Sequence, residues 1–180
     1  MRERSDEALV AAWSDGSMAA FEALYARYRG PLYRYFLRLS GDAARANDLY
    51  QGCWEKVIRA RGRYRPTGPF RAWLFRIAHN HAMDGFRRTV PLTEFSEAEA
   101  PSTQPEPAEH AVALERAARL AEALADLPPE QRDAVLLKLE GGLDLATIAR
   151  VTGVGRETAK SRLRYATARL KHALSGDSSE

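Results

Sequence analysis

Residues 143–166 read LDLATIARVTGVGRETAKSRLRYA. Leu145, Ile148 and Ala149 recur at helical spacing and predict the inner face of a short helix, about Asp144–Val151. Ala149 is small where two helices must approach closely. Thr152-Gly153-Val154 supplies a tight turn, because glycine tolerates the positive φ that other residues avoid. A second helix, about Arg156–Leu174, is predicted to bury Ala159, Leu163, Ala166 and Leu170. That leaves Arg156, Lys160, Ser161, Arg162, Arg164 and Tyr165 to face outward. The pattern is that of a helix-turn-helix, whose second helix, about 10–12 Å across, fits the DNA major groove. Helical hairpins in ordinary cores imitate it; the one-sided basic face favours DNA.

Upstream of this motif the helical reading continues. Pro129 suits the first turn of a helix carrying Ala134, Val135, Leu136, Leu137 and Leu139, and Gly141-Gly142 stops it. Glu109 to Asp126 reads as a further helix. From Val90 to about Ala108 four prolines fall among Ser, Thr, Gln and Glu, with few apolar residues to bury. A flexible, partly extended linker is expected there. In the first half, Ser5 and Ser17 are candidate caps of two helices. Gly30-Pro31 is expected to break or kink the second. A third helix runs from Gly41-Asp42 to near Arg61-Gly62, residues 62–69 form a loop, and Phe70–Arg88 is a fourth helix. Its expected buried face is Phe70, Trp73, Leu74, Ile77 and Ala78. No stretch alternates like a strand. The expected fold is all-α: a helical domain over residues 1–89, an acidic Pro-rich linker over 90–110, and a helix-turn-helix domain over 111–180.

The net charge of +3 hides a pattern. Residues 1–90 hold 16 Lys/Arg against 9 Asp/Glu, and residues 91–110 hold 5 Glu with no Lys or Arg. Residues 145–174 carry 7 Lys/Arg and a single acid, Glu157. Two basic territories either side of an acidic spacer suit a polyanion, whose displaced counterions drive binding. A merely solvated surface accounts for the charge equally well.

Composition closes other routes. With 45% apolar and 28% charged residues, the 180-residue chain is globular in type, and no apolar run approaches the roughly 20 residues that span a bilayer. The first residues lack the apolar core of a secretory signal, and the lone Cys53 has no internal disulfide partner, which fits a reducing cytoplasm. Cys53 reads as a small buried hydrophobe. His79 and His81 stand two apart and face different sides of a helix, so no metal site is expected. No phosphate loop, nucleophile elbow or metal-ligand cluster is found, and neither catalysis nor a cofactor is expected.

Around the Gly/Pro loop, arginines and aromatics gather: Arg59, Arg61, Arg63, Tyr64, Arg65, then Phe70, Arg71, Trp73, Arg76 and Asn80. Arginines hold phosphates, aromatics stack on unpaired bases, and Asn reads base edges, so the mixture suits melted or single-stranded nucleic acid. Phe70 and Trp73 also fit a core, and Trp73 is assigned mainly to packing beneath the loop.

Several stretches taken together carry a family resemblance. Asp48-Leu49-Tyr50-Gln51, with Phe70-Arg71-Ala72-Trp73-Leu74-Phe75-Arg76-Ile77-Ala78-His79-Asn80 and Asp84, resembles region 2 of bacterial sigma factors of the extracytoplasmic-function (ECF) type. Leu127-Pro128-Pro129-Glu130-Gln131-Arg132, with Ile148-Ala149 and Thr158-Ala159-Lys160-Ser161-Arg162-Leu163, resembles their region 4. The resemblance covers about residues 6–88 and 111–174, in the right order. It implies a dissociable, non-catalytic subunit that brings RNA polymerase core to promoters. Region 2 would dock on the largest core subunit through Asp48, Leu49 and Gln51, and read and open the minus-ten element through Arg63, Tyr64, Arg65, Arg71, Trp73, Arg76 and Asn80. Region 4 would rest on the second-largest subunit and read the minus-thirty-five element through Arg156, Lys160, Ser161, Arg162, Arg164 and Tyr165. An anti-sigma factor is an expected partner, and the acidic linker an expected mimic of nucleic acid.

Asn47 and Gly52 stand where the family carries more acid, but Asp48 and Gln51 remain, so the resemblance implies core binding that is retained but weaker; Tyr165 stands where the family often has Arg, which implies a different base preference. Two rivals compete with this reading. A stand-alone helix-turn-helix regulator would need neither Asp48 and Gln51 nor the Trp73–Asn80 group. A recombinase or nuclease would need a clustered carboxylate or nucleophile set, and none is found.

Overall fold

The computed structural model describes residues 4–65, 67–88 and 109–176, so the expected linker over 90–110 lies outside the described residues except for Glu109 and His110, which open a helix. Among those residues every regular element is helical: α1 (Asp6–Ser14), α2 (Met18–Ser40), α3 (Ala43–Ala60), α4 (Phe70–Arg88), α5 (Glu109–Ala125), α6 (Pro129–Leu139), α7 (Leu145–Thr152) and α8 (Arg156–Ser175), with a 3-10 turn at Arg61–Arg63.

Local chemistry starts five of the eight helices where the sequence places them. Ser5, Ser17, Asp42 and Asp144 accept backbone N–H groups of the first turns of α1, α2, α3 and α7, which would otherwise lack partners. Pro129 opens α6 at the position where a missing N–H costs nothing. Of the break or kink expected at Gly30-Pro31, the break is not found: α2 runs through Pro31 to Ser40. Burial overrides the lost backbone bond there, because Leu24 on one side and Leu32, Tyr35 and Phe36 on the other anchor both halves in the core.

α1–α4 form one bundle. Trp13, Phe21, Tyr25 and Trp54 meet ring to ring in it, with centroids 5.0–6.2 Å apart. α5–α8 form the second, in which α8 buries Ala159, Leu163, Ala166 and Leu170 as expected. The two bundles also pack on each other, α2 against α5 and α6, and α4 against α7. This second layer changes the expected face of α4. Trp73 and Ile77 are half-buried, while Phe75 and His79 are buried because they face the second bundle. The Phe75 ring so crowds Gly141 that a Cβ there would lie 3.1 Å from Cγ, and only 2.5 Å from the Leu137 carbonyl oxygen.

Candidate nucleic-acid interface

In the second bundle, Gly153 adopts φ +71° between α7 and α8, the left-handed turn for which glycine was read. The Asp144 carboxylate accepts the Thr147 N–H at 2.8 Å and is held below its ordinary value first by its bonds to Thr147. α8 then exposes Arg156, Lys160, Arg164 and Tyr165, with Ser161 and Arg162 half-buried at the edge of that strip. The Arg164 guanidinium lies 5.2 Å from the centre of the Tyr165 ring, which holds the two side chains as one flat, cationic surface. Lys138 and Lys171 join Arg164 around a groove of about 390 Å³. Neither lysine was singled out in the sequence: Lys171 stands two turns along α8 from Arg164, where helical period alone places it, and only the packing of α6 on α8 brings Lys138 there.

The residues expected at the minus-ten element divide between two clefts. Arg63 and Asn80 line a cleft of about 420 Å³ between α3 and α4, together with Lys56, Arg59 and His81. Burial, and then Lys56, hold the His81 imidazole below its ordinary value, so the charge of this cleft near pH 7 comes from Lys56, Arg59 and Arg63. Lys56 was missed in the sequence; it lies in the middle of α3, away from the Gly/Pro loop, and joins Arg63 and Asn80 only when α4 packs beside α3. Tyr64, Arg65, Trp73 and Arg76 instead line a second cleft of about 430 Å³, whose opposite wall is Thr147, Arg150 and Val151. Tyr64 stacks edge-on against Phe70 and Trp73 at 5.9 and 5.4 Å and donates from its hydroxyl to the Gly68 carbonyl at 3.1 Å, which ties the loop to α4. Arg71 is exposed and reaches Gly142 of the second bundle.

The residues expected to meet the polymerase lie on α3. Asp48 and Gln51 are exposed, and Glu55 and Ile58 continue the same face at three- and four-residue steps. Leu49 is buried at 6% exposure against Gly85 of α4, so its part is to seat α3 on α4. Ile58, 45% exposed, adds an apolar end to the face that the sequence reading did not single out.

Among the described residues no group of three His, Cys, Asp or Glu side chains is placed to hold a metal, and no helix is long and apolar enough to cross a membrane. Cys53 is fully buried, and burial pushes its thiol up to about 12.

Comparison with known proteins accords with this geometry. The family model of Sigma-70 region 2 matches residues 24–90, and that of Sigma-70, region 4 matches residues 117–170. The ECF RNA polymerase sigma factor SigL of Mycobacterium tuberculosis is 38% identical over 165 residues, which cover 87% of this chain and 89% of SigL. The RNA polymerase sigma factor CarQ of Myxococcus xanthus is 32% identical over 162 residues, covering 89% of this chain and 92% of CarQ. Among solved structures, CnrH in complex with the cytosolic domain of CnrY superposes with a TM-score of 0.69 at 27% identity, covering 97% of this chain and 100% of the other. The sigma factor RpoE of Bartonella quintana, solved with the anti-sigma factor NepR, shares the fold with a TM-score of 0.67 at 22% identity, over 87% of this chain and 98% of RpoE.

Proposed function

The chain belongs to the ECF sigma factors of the sigma-70 family, and from that membership we propose how its surfaces divide the work of starting transcription. As a sigma factor it binds RNA polymerase core, directs it to promoters and catalyses nothing itself. The observation that carries this is the succession of region 2 and region 4 in one chain, at 38% identity to a named relative across most of both proteins. A stand-alone helix-turn-helix regulator has no use for the first of these regions.

In this proposal the unit over residues 1–89 docks on core and handles the minus-ten element, the stretch over 90–110 joins the units, and the unit over 111–180 reads the minus-thirty-five element. Asp48 and Gln51 meet the basic clamp of the largest core subunit by charge and hydrogen bonding, with Ile58 closing the contact at its apolar end. Arg63 and Asn80, in the cleft between α3 and α4, are suited to an unpaired base: Asn80 offers a donor and an acceptor, and Lys56 and Arg59 offer charge to its phosphates. Arg65, Arg71 and Arg76 hold the neighbouring strand, over Trp73 as a supporting ring. On α8, Lys160 and Arg162 take phosphates, while Arg156, Ser161, Arg164 and Tyr165 face base edges. The inhibitor is proposed to be an anti-sigma factor, by likeness to relatives solved in such complexes, and the site of action the cytoplasm. Run-off transcription with added core on a genomic promoter library tests the reading: discrete start sites that need this chain support it, and none would refute it.

A further inference from the structure

Two glycines sit inside the crossing of α3 and α4, and each receives a side chain of the other helix. A Cβ at Gly85 of α4 would lie 2.9 Å from Cδ2 of Leu49. A Cβ at Gly52 of α3 would lie 2.6 Å from Nε2 and 2.8 Å from Cε1 of His81. Real Cβ atoms do not approach that closely, so any residue but glycine at 52 forces the imidazole aside. Glycine in the middle of a helix costs stability relative to alanine. The ring that rests on it gives this one a use.

His81 is half-buried at the wall of the cleft between α3 and α4, and the Phe36 ring stands edge-on to it with centroids 6.5 Å apart. Lys56, Arg59 and Arg63 of the same cleft only donate hydrogen bonds, and the two other residues of its lining, Ala60 and Ile77, are aliphatic. Among the lining side chains, the capacity to accept is therefore confined to Asn80 and His81. Asn80 is exposed, and its amide turns over to present either oxygen or nitrogen. The imidazole is neutral near pH 7, which leaves one nitrogen free to accept, and its seat on α3 fixes where the ring stands. A base with a carbonyl oxygen finds donors in this cleft whatever stands at 81. A base with an amino group in its place needs an acceptor, because a buried donor without a partner is costly.

On the reading of this cleft as the site of an unpaired minus-ten base, we propose that His81, held on Gly52, is a specificity-determining residue. It accepts from the exocyclic amino group of cytosine or adenine and sets them apart from thymine and guanine, which carry a carbonyl oxygen at the corresponding position. Gly52 is the positioning residue that gives the ring its place.

The test uses the full chain assembled with RNA polymerase core, on a premelted promoter template taken from the run-off library. At each unpaired position of the minus-ten element, cytosine is exchanged with thymine and adenine with guanine. Competition binding gives the amino-to-keto affinity ratio at each position, and a ratio taken on one holoenzyme cancels any change in core affinity or overall DNA affinity. His81→Ala is expected to lower the ratio about tenfold at one position and to leave the others unchanged. His81→Phe, which keeps a ring on the seat and loses both nitrogens, should lower it as far. Gly52→Ala favours the helix but takes the seat, and should lower the ratio at the same position. Combined with His81→Ala it should bring no further fall, because both changes remove one contact. An unchanged ratio in either His81 variant or in Gly52→Ala, a fall spread over every position, or additive losses in the double variant would each overturn the assignment. Run-off by the parent chain reports on the sigma-factor reading itself. No start sites refute that reading and this inference with it, whereas start sites with an unchanged ratio remove only the role of His81.

Discussion

The Arg132 guanidinium donates from Nε to the carbonyl of Leu124 at 2.8 Å, eight residues back in the chain. The same side chain reaches the carbonyls of Ala125 at 2.7 Å and Leu127 at 3.0 Å, and that of Leu39 on α2 at 3.3 Å. One side chain thereby satisfies carbonyls at the end of α5 that no later turn can reach, and reaches the end of α2 besides. Arg132 is the last residue of the Leu127–Arg132 motif, and its part in the structure is to join elements.

Replacing Arg132 with Met keeps the aliphatic stem and removes the donors. The expected cost is about 2 kcal/mol, since bonds to a charged donor are each worth roughly 1.5–3 kcal/mol and all four are partly or fully open to water, which replaces much of each. For a domain of this size that lowers Tm by about 4–8 °C. Urea unfolding followed by circular dichroism checks it; an unchanged midpoint would mean that water replaces the guanidinium without loss.

Core binding is expected to fall about tenfold in the double variant Asp48→Ala, Gln51→Ala, with helicity intact because both side chains are exposed. Fluorescence anisotropy against purified core measures it. Leu49→Ala should instead lower stability, since Leu49 is buried against α4. Loss of core affinity in a fully stable Leu49 variant would contradict that division.

On α8, Arg164→Ala is expected to cost about 1–3 kcal/mol of discrimination at one base position of the minus-thirty-five element. Lys160→Ala should weaken every site alike and reduce the slope of log K against log salt by about 1. Binding to a panel of single-base promoter variants at several salt concentrations separates the two. Equal losses across the whole panel for Arg164→Ala would remove it from base reading.

Replacing residues 63–68 with a Gly/Ser segment is expected to spare core binding and the closed promoter complex while abolishing strand opening. Unstacking a base costs a few kcal/mol, and the Arg63 and Tyr64 contacts that would offset it are gone. A premelted template should partly restore transcription. Permanganate reactivity of unpaired thymines reads the outcome directly, and a normal opening rate would discard this mechanism.

The start of five of the eight helices was legible from a local device: Ser5, Ser17, Asp42 and Asp144 accept N–H groups within a few residues, and Pro129 sits where a missing N–H costs nothing. The buried face of α8 was legible for the same reason, since a 3.6-residue period reports a single flat contact. The exposed strip of Arg156, Lys160, Arg164 and Tyr165 followed as its complement, while Ser161 and Arg162 lie half-buried at its edge. Where the sequence misled, long-range packing outweighed a local preference: Pro31 sits inside α2 because residues on both sides of it are buried.

What only the tertiary structure decided is how the two bundles meet. Phe75, His79 and Asp133 carry no local sign of burial, and Asp133 and Glu140 read in the chain as ordinary helix-surface acids. Their partners Tyr35, Arg34 and Arg38 lie about a hundred residues away, beyond the reach of any periodicity or cap. Lys56 and Lys138 likewise become parts of charged clefts only once separate helices are laid side by side. The sequence by itself determined the helices, their order and the family chemistry they carry, because those depend on neighbours in the chain. The division of the minus-ten residues between two clefts, and the covering of one by α7, depend on contacts between distant segments, which only the folded chain brings together.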